Sequence, residues 1–139
     1  MNKKRVDELI PCAYEVLREL NICEEDESNS GSWVVDSTYK SYISSFGAAV
    51  TMGSLVSAAA FFAATSKENK KRTSADRGKI GKAVLEVLKK KNPNIREDNL
   101  FEYVKKHGQT ARTKELVLDA AVALKLALNL YPKKPEPKK

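Results

Sequence analysis

The chain has 139 residues, 31% charged and 42% hydrophobic, a balance that suits one soluble globular domain with a real core. A net charge of +7 favours a polyanionic partner while saying nothing about the fold. Two cysteines with ten residues between them and a single histidine exclude the spacings of a zinc site, and no cofactor is implied.

The charge is uneven: residues 1–36 carry four basic and nine acidic side chains, and residues 37–139 carry 21 basic and nine acidic. An acidic end beside a basic body suits self-stacking or docking to charged neighbours. Met1–Leu20 lacks the apolar run of a signal peptide. A cytoplasmic protein with Cys12 and Cys23 as free thiols is expected.

Val6, Leu9, Ile10, Ala13, Val16, Leu17 and Leu20 keep a 3.6-residue period and predict a first helix, with Pro11 kinking it or starting its regular part. Residues 21–32, "NICEEDESNSGS", read as a mobile loop, part of an acidic stretch that extends to residue 36. The run Glu24–Glu27 lacks the ligand order of a calcium loop and reads as solvated charge. Trp33 should anchor the return to the core.

Nothing ionisable lies between Lys40 and Lys67. The 26 residues 41–66 are long enough to span a membrane, but ten are Ser, Thr or Gly and seven are Ala, which makes a feeble span. The periodicity also breaks in the middle. Tyr39, Tyr42, Ile43, Phe46 and Val50 share one helical face, Gly53 offers a stop, and Ser54 offers a new N-cap. Leu55, Ala58, Ala59 and Phe62 make a second stripe. The reading is two buried helices, with a membrane span as the competing one.

A basic connector, "SKENKKRTSADR", follows. Ser74 is a candidate N-cap for a helix through Leu88 with Ile80, Val84, Val87 and Leu88 inward, stopped by Asn92–Pro93. Asn94 with Glu97 resembles a capping box before a short helix containing Leu100, Phe101 and Val104 and ending at Gly108. Thr110 opens a last helix to about Tyr131, with Leu116, Val117, Ala120, Ala121, Leu124, Ala127, Leu128 and Tyr131 as its stripe. Residues 133–139 read as a basic disordered tail. No strand is expected; the fold class is all-α, a single-domain bundle of about six helices over 1–132.

Catalytic chemistry is not visible. His107 sits in a last helical turn, where a cation is favoured by the helix dipole. No serine lies in a strand–elbow–helix context, and Gly78 and Gly81 without a preceding strand are no phosphate loop. The basic residues are more informative. Lys70, Lys71, Arg72 and Arg77 are the best candidates for contacts to a nucleic-acid backbone, with Lys40 and Lys82 next; a merely solvated helix face is the competing reading. No base-reading motif accompanies them, so binding should tolerate sequence.

"YKSYISSFGAAVTMGSLVSAAAFF" resembles the signature hairpin of the small α-helical subunit of the type III-B CRISPR (Cmr) effector complex. The shared elements are Tyr39 and Tyr42, the small residues around Gly47, Met52–Gly53–Ser54–Leu55, and an Ala-rich helix ending in Phe61–Phe62. The basic segment with Arg72 and Arg77 and the closing "ELVLDAAVALKLALNLYP" fit as well. The resemblance implies a non-catalytic subunit in antiviral defence, with no membrane partner. Its copies would stack into a filament beside the repeated backbone subunit that holds the guide RNA. It would touch target RNA while other Cmr subunits cleave it. A stand-alone helical nucleic-acid-binding protein is the alternative.

Overall fold

The structure, a computed structural model, describes residues 1–26, 31–63 and 76–133. Helix α1 is Lys3–Glu19, capped by Asn2, whose side chain accepts the Arg5 N–H at 3.1 Å. It buries Val6, Leu9, Ala13, Val16 and Leu17, the expected stripe. Pro11 lies inside this helix rather than at its start. Its residue is exposed, on the side where water can serve the carbonyl that a proline leaves without a donor.

The helix ends in a Schellman motif. Asn21 takes a left-handed φ of 58°, which Asn tolerates; its N–H donates to Arg18 O at 3.1 Å and the Ile22 N–H to Leu17 O at 3.0 Å. This turn launches a feature that the sequence reading lacked. Strand β1, Cys23–Glu25, pairs antiparallel with β2, Trp33–Val35, in the register Cys23↔Val35, Glu24↔Val34 and Glu25↔Trp33. Residues 23–25 therefore form a strand where a loop was expected. Three residues per strand are too few for an alternation to register. The Val35 N–H also donates to Pro132 O at 3.0 Å, so the chain after the last helix closes onto the hairpin.

The uncharged run goes into the core. Helix α2, Ser37–Met52, is capped by Asp36 and buries Tyr39, Ile43, Phe46 and Val50. It stops at Gly53, where a Cβ would stand 2.9 Å from Ala49 O. Ser54 Oγ then accepts the Ser57 N–H at 3.1 Å and opens α3, Leu55–Ala63, which buries Leu55, Ala58, Ala59 and Phe62. Phe46 and Phe62 meet edge to face at 5.2 Å across the two helices. Among the described residues no helix is long and apolar enough to cross a membrane.

Helix α4, Arg77–Lys91, takes its cap from Asp76, which accepts the Gly78 N–H at 2.8 Å; Ser74, the expected cap, lies outside the described residues. The buried face is wider than expected and includes Gly81, Ala83 and Leu85. Gly81 has a specific reason: a Cβ there would collide with the carbonyl oxygen of Phe62. A glycine that costs a free helix about 1 kcal/mol against alanine is what lets α4 close on the end of α3.

Helix α5, Leu100–His107, is capped by Asn99, which accepts the Glu102 N–H at 2.8 Å. The Asn-x-x-Glu pattern is thus used five positions after the expected Asn94–Glu97. Gly108, at φ 78°, ends the helix as expected. Helix α6, Ala111–Leu128, is capped by Thr110 and stops three residues short of Tyr131. Tyr131 is still buried: its ring stacks on Tyr14 at 4.8 Å and its hydroxyl donates to Tyr14 O at 3.1 Å.

In the assembled bundle α1 packs against α6 and α4, α2 against α6 and α3, and α3 against α4 and α5. One buried charge locks it. Asp119 on α6 is 0% exposed and accepts from Arg5 at 2.8 Å and from the Asn2 N–H at 3.3 Å.

Candidate nucleic-acid interface

Helix α4 carries most of the cations that the sequence singled out among the described residues. Lys79, Lys82, Glu86 and Lys89 recur at three- and four-residue spacing, so they share one stripe. The C-terminal end is neutralised. Lys89 pairs with Glu86 at 3.5 Å, Lys90 with Glu19 at 2.9 Å and Glu15 at 3.7 Å, and Lys91 with Glu8 at 3.1 Å. Lys91 holds the Glu8 carboxyl below its ordinary pKa, and the hydrogen bond to Glu19 raises that of Lys90.

The N-terminal end is different. Among the described residues Arg77, Lys79 and Lys82 make no ion pair. Arg77 instead leans on α3. Its Nε donates to Phe61 O at 3.0 Å, satisfying a carbonyl near that helix's C-terminus, and its guanidinium lies 3.9 Å from the Phe61 ring centroid. Phe61 is 55% exposed.

The candidate residues are only partly brought together. Arg77 and Lys82 are five positions apart, about 140° around the helix, so they do not share a face. Lys40 lies on the first turn of α2, which meets the first turn of α4 where the Asp76 N–H donates to Tyr39 Oη at 3.0 Å. Lys40 and Arg77 are each one residue beyond that bond. Lys40 also lies within electrostatic reach of the hairpin. Burial pushes the Cys23 thiol up to about 12, against the opposing charges of Arg18 and Lys40. Lys70, Lys71 and Arg72 lie outside the described residues.

Phe61, the exposed ring under Arg77, was not among the expected residues. A signal was present: adjacent residues on a helix point about 100° apart, so Phe61 and Phe62 cannot both face the core. Glu97 was read as a capping acid and is something else. Its side chain is only 11% exposed; Oε1 has no hydrogen-bond partner and faces His107 Nε2 at 3.6 Å, while Oε2 accepts from Lys106 Nζ at 3.5 Å. The His107 ring also rests on Tyr103 at 4.5 Å. His107 thus lies in the last turn of α5, as expected, and its contact with Glu97 in addition ties residues 92–99 to that helix. Among the described residues no three His, Cys, Asp or Glu side chains gather as metal ligands.

A cleft of about 370 Å³ is lined by Asn2, Lys4, Arg5, Glu8 and Lys91, among others. Two of its three cations are already matched: Arg5 by Glu115 and Asp119, and Lys91 by Glu8. The cations at the start of α4 have no such match among the described residues.

No curated protein and no solved structure matches the chain. A family model does, over residues 12–127, and its description is CRISPR-associated protein (Cas_Cmr5). The match runs from the middle of α1 through the hairpin, α2, α3, α4 and α5 to the end of α6, so the signature stretch and the basic helix lie inside one family domain. With most of its length covered and a helical bundle for its fold, the chain belongs to the Cas_Cmr5 family, the small subunits of the type III-B CRISPR Cmr complex.

Proposed function

We propose that this Cmr subunit is a non-catalytic support of RNA-guided RNA targeting in the cytoplasm. Copies stack into a short filament beside the repeated backbone subunit that holds the guide RNA. Each copy offers target RNA the basic side chains Lys40, Lys70, Lys71, Arg72, Arg77 and Lys82, those on α4 reaching out from two faces of the helix. The observation that carries the RNA contact is the set of cations at the start of α4 without carboxylate partners among the described residues, on a helix whose other end is fully matched.

The contact is backbone-directed and weak for one copy. A few phosphate contacts on one small surface do not offset the cost of association at physiological salt. In a row of copies the same contacts add through effective concentration. The test is target-RNA affinity of the reconstituted Cmr complex against salt, for wild type beside Arg72→Glu/Lys82→Glu. The expected result is weaker capture of all sequences. The log–log slope should be flatter by about 0.7 for each lost contact to a single strand. The chain alone should cleave no RNA with magnesium or manganese. Unchanged slope and affinity, or a nuclease activity that disappears in His107→Ala, would overturn the proposal.

A further inference from the structure

We infer that Phe61 and Arg77 form a stacking platform for an unpaired base of the bound RNA, an inference that rests on the RNA-binding reading above and adds a base contact to a surface described so far only by its charge. Three observations carry it. First, α3 ends in two phenylalanines of which one, Phe62, is buried while Phe61 is 55% exposed. Its ring meets Phe62 edge to face at 5.2 Å, but an alanine there would leave the buried stripe itself intact, so burial does not account for the ring. Second, the Arg77 guanidinium lies over the ring at 3.9 Å and is held there by its Nε bond to Phe61 O. The planar cation is fixed before any ligand arrives, which lowers the ordering cost of binding. Third, Arg77 has no carboxylate partner among the described residues. Arg5 is paired with Glu115 and Asp119, and Arg18 donates to the hydroxyls of Tyr14 and Tyr131.

A phenyl ring and a guanidinium both stack on the π-face that every base offers, so the contact is tolerant of sequence. Exposed arginine–aromatic pairs also serve protein interfaces. Lys79 and Lys82, on the next one and a half turns of the same helix but about 200° and 140° around it from Arg77, have no ion pair among the described residues, and the added positive charge favours a polyanion. Gly81 makes the arrangement possible, because only a residue without Cβ lets α4 approach the end of α3 closely enough for Arg77 to reach Phe61.

Stacking and phosphate contacts separate by their salt dependence, since only the latter releases counterions. The full chain is titrated at low salt, then at rising salt, onto a short single-stranded RNA containing 2-aminopurine. The proteins are wild type, Phe61→Leu, Arg77→Lys and Lys79→Glu/Lys82→Glu, and urea midpoints check that each is folded. The platform is supported if wild type quenches the 2-aminopurine and if Phe61→Leu and Arg77→Lys each weaken binding roughly tenfold with an unchanged salt slope. An abasic position in place of the fluorescent base should erase those differences. If both variants bind and quench like wild type while the double lysine reversal weakens binding, the platform falls and the RNA surface stands. If wild type does not bind, or if no variant including the double lysine reversal differs from it, the RNA reading falls and takes the platform with it.

Discussion

The two ends of α4 hold the same kind of residue and present opposite electrostatics. At its C-terminal end Lys89, Lys90 and Lys91 are matched by Glu86, Glu19, Glu15 and Glu8. At its N-terminal end Arg77, Lys79 and Lys82 have no such partners among the described residues. The cause is the neighbour. The last turns of α4 lie against α1, whose Glu8, Glu15 and Glu19 recur at seven- and four-residue spacing and so share a face. The first turn lies against the end of α3, inside the uncharged run, and the start of α2, just before it, which together offer a carbonyl, an aromatic ring and a phenol. Net charge read from a sequence is therefore not the charge offered to a partner. The acidic first third of this chain is spent in part on the basic helix, and what remains is concentrated at one end.

The largest expected effect comes from loosening α1, which supplies the matching carboxylates. Arg5→Ala leaves Asp119 buried without its cation and should cost roughly 3 kcal/mol in urea unfolding. A loss below about 1 kcal/mol would mean that the Asn2 N–H alone satisfies that carboxylate. Next comes the other end. Gly81→Ala forces α4 and the Phe62 carbonyl apart and should cost roughly 2 kcal/mol. A gain of about 1 kcal/mol from helix propensity would show that the two helices are not in such close contact.

A smaller effect sharpens the contrast directly. Lys90→Glu/Lys91→Glu should leave the salt slope of RNA binding where it is and lower stability only slightly, because water screens these exposed pairs. Lys79→Glu/Lys82→Glu should flatten that slope by about 1.4 with little change in stability. Equal slopes for the two double variants would erase the distinction between the ends.

At neutral pH the smallest effect lies at the hairpin, where burial outweighs the nearby cations. At pH 8 an alkylating reagent should modify half-exposed Cys12 and spare Cys23, whose thiol is pushed up to about 12. Tyr39 and Tyr131 are likewise raised to about 12, in each case first by burial. Groups whose folded pKa is raised stabilise the fold fully below their unfolded pKa. Stability should therefore be lost as pH climbs from about 9, where the unfolded thiol begins to ionise, toward 12. A melting temperature that stays flat over that range would contradict the buried placement of these three groups.

Much of this fold could be read along the chain. The stripes Val6–Leu17, Tyr39–Val50 and Leu55–Phe62, the break at Gly53, the caps at Ser54 and Thr110 and the stop at Gly108 are all where the residues indicated. A helical stripe repeats within two turns and a cap acts within three residues, so both are local facts. The misses are local as well where the signal was short or doubled. A three-residue strand carries no period, and Asp76 and Asn99 were passed over for Ser74 and Asn94, which offered similar caps a few positions earlier. Of the candidate site, the sequence by itself determined that α4 is basic and that the uncharged run makes two helices. Which of those charges stay available, why Gly81 must have no side chain and why Phe61 lies in solvent under Arg77 were decided only by the tertiary structure. Those outcomes depend on partners far away in the chain, 71 positions for Lys90 with Glu19, 83 for Lys91 with Glu8 and 110 for Arg5 with Glu115. Coulombic pairing and steric collision act through space at a few ångströms, and nothing in a linear pattern says which distant residue will arrive there.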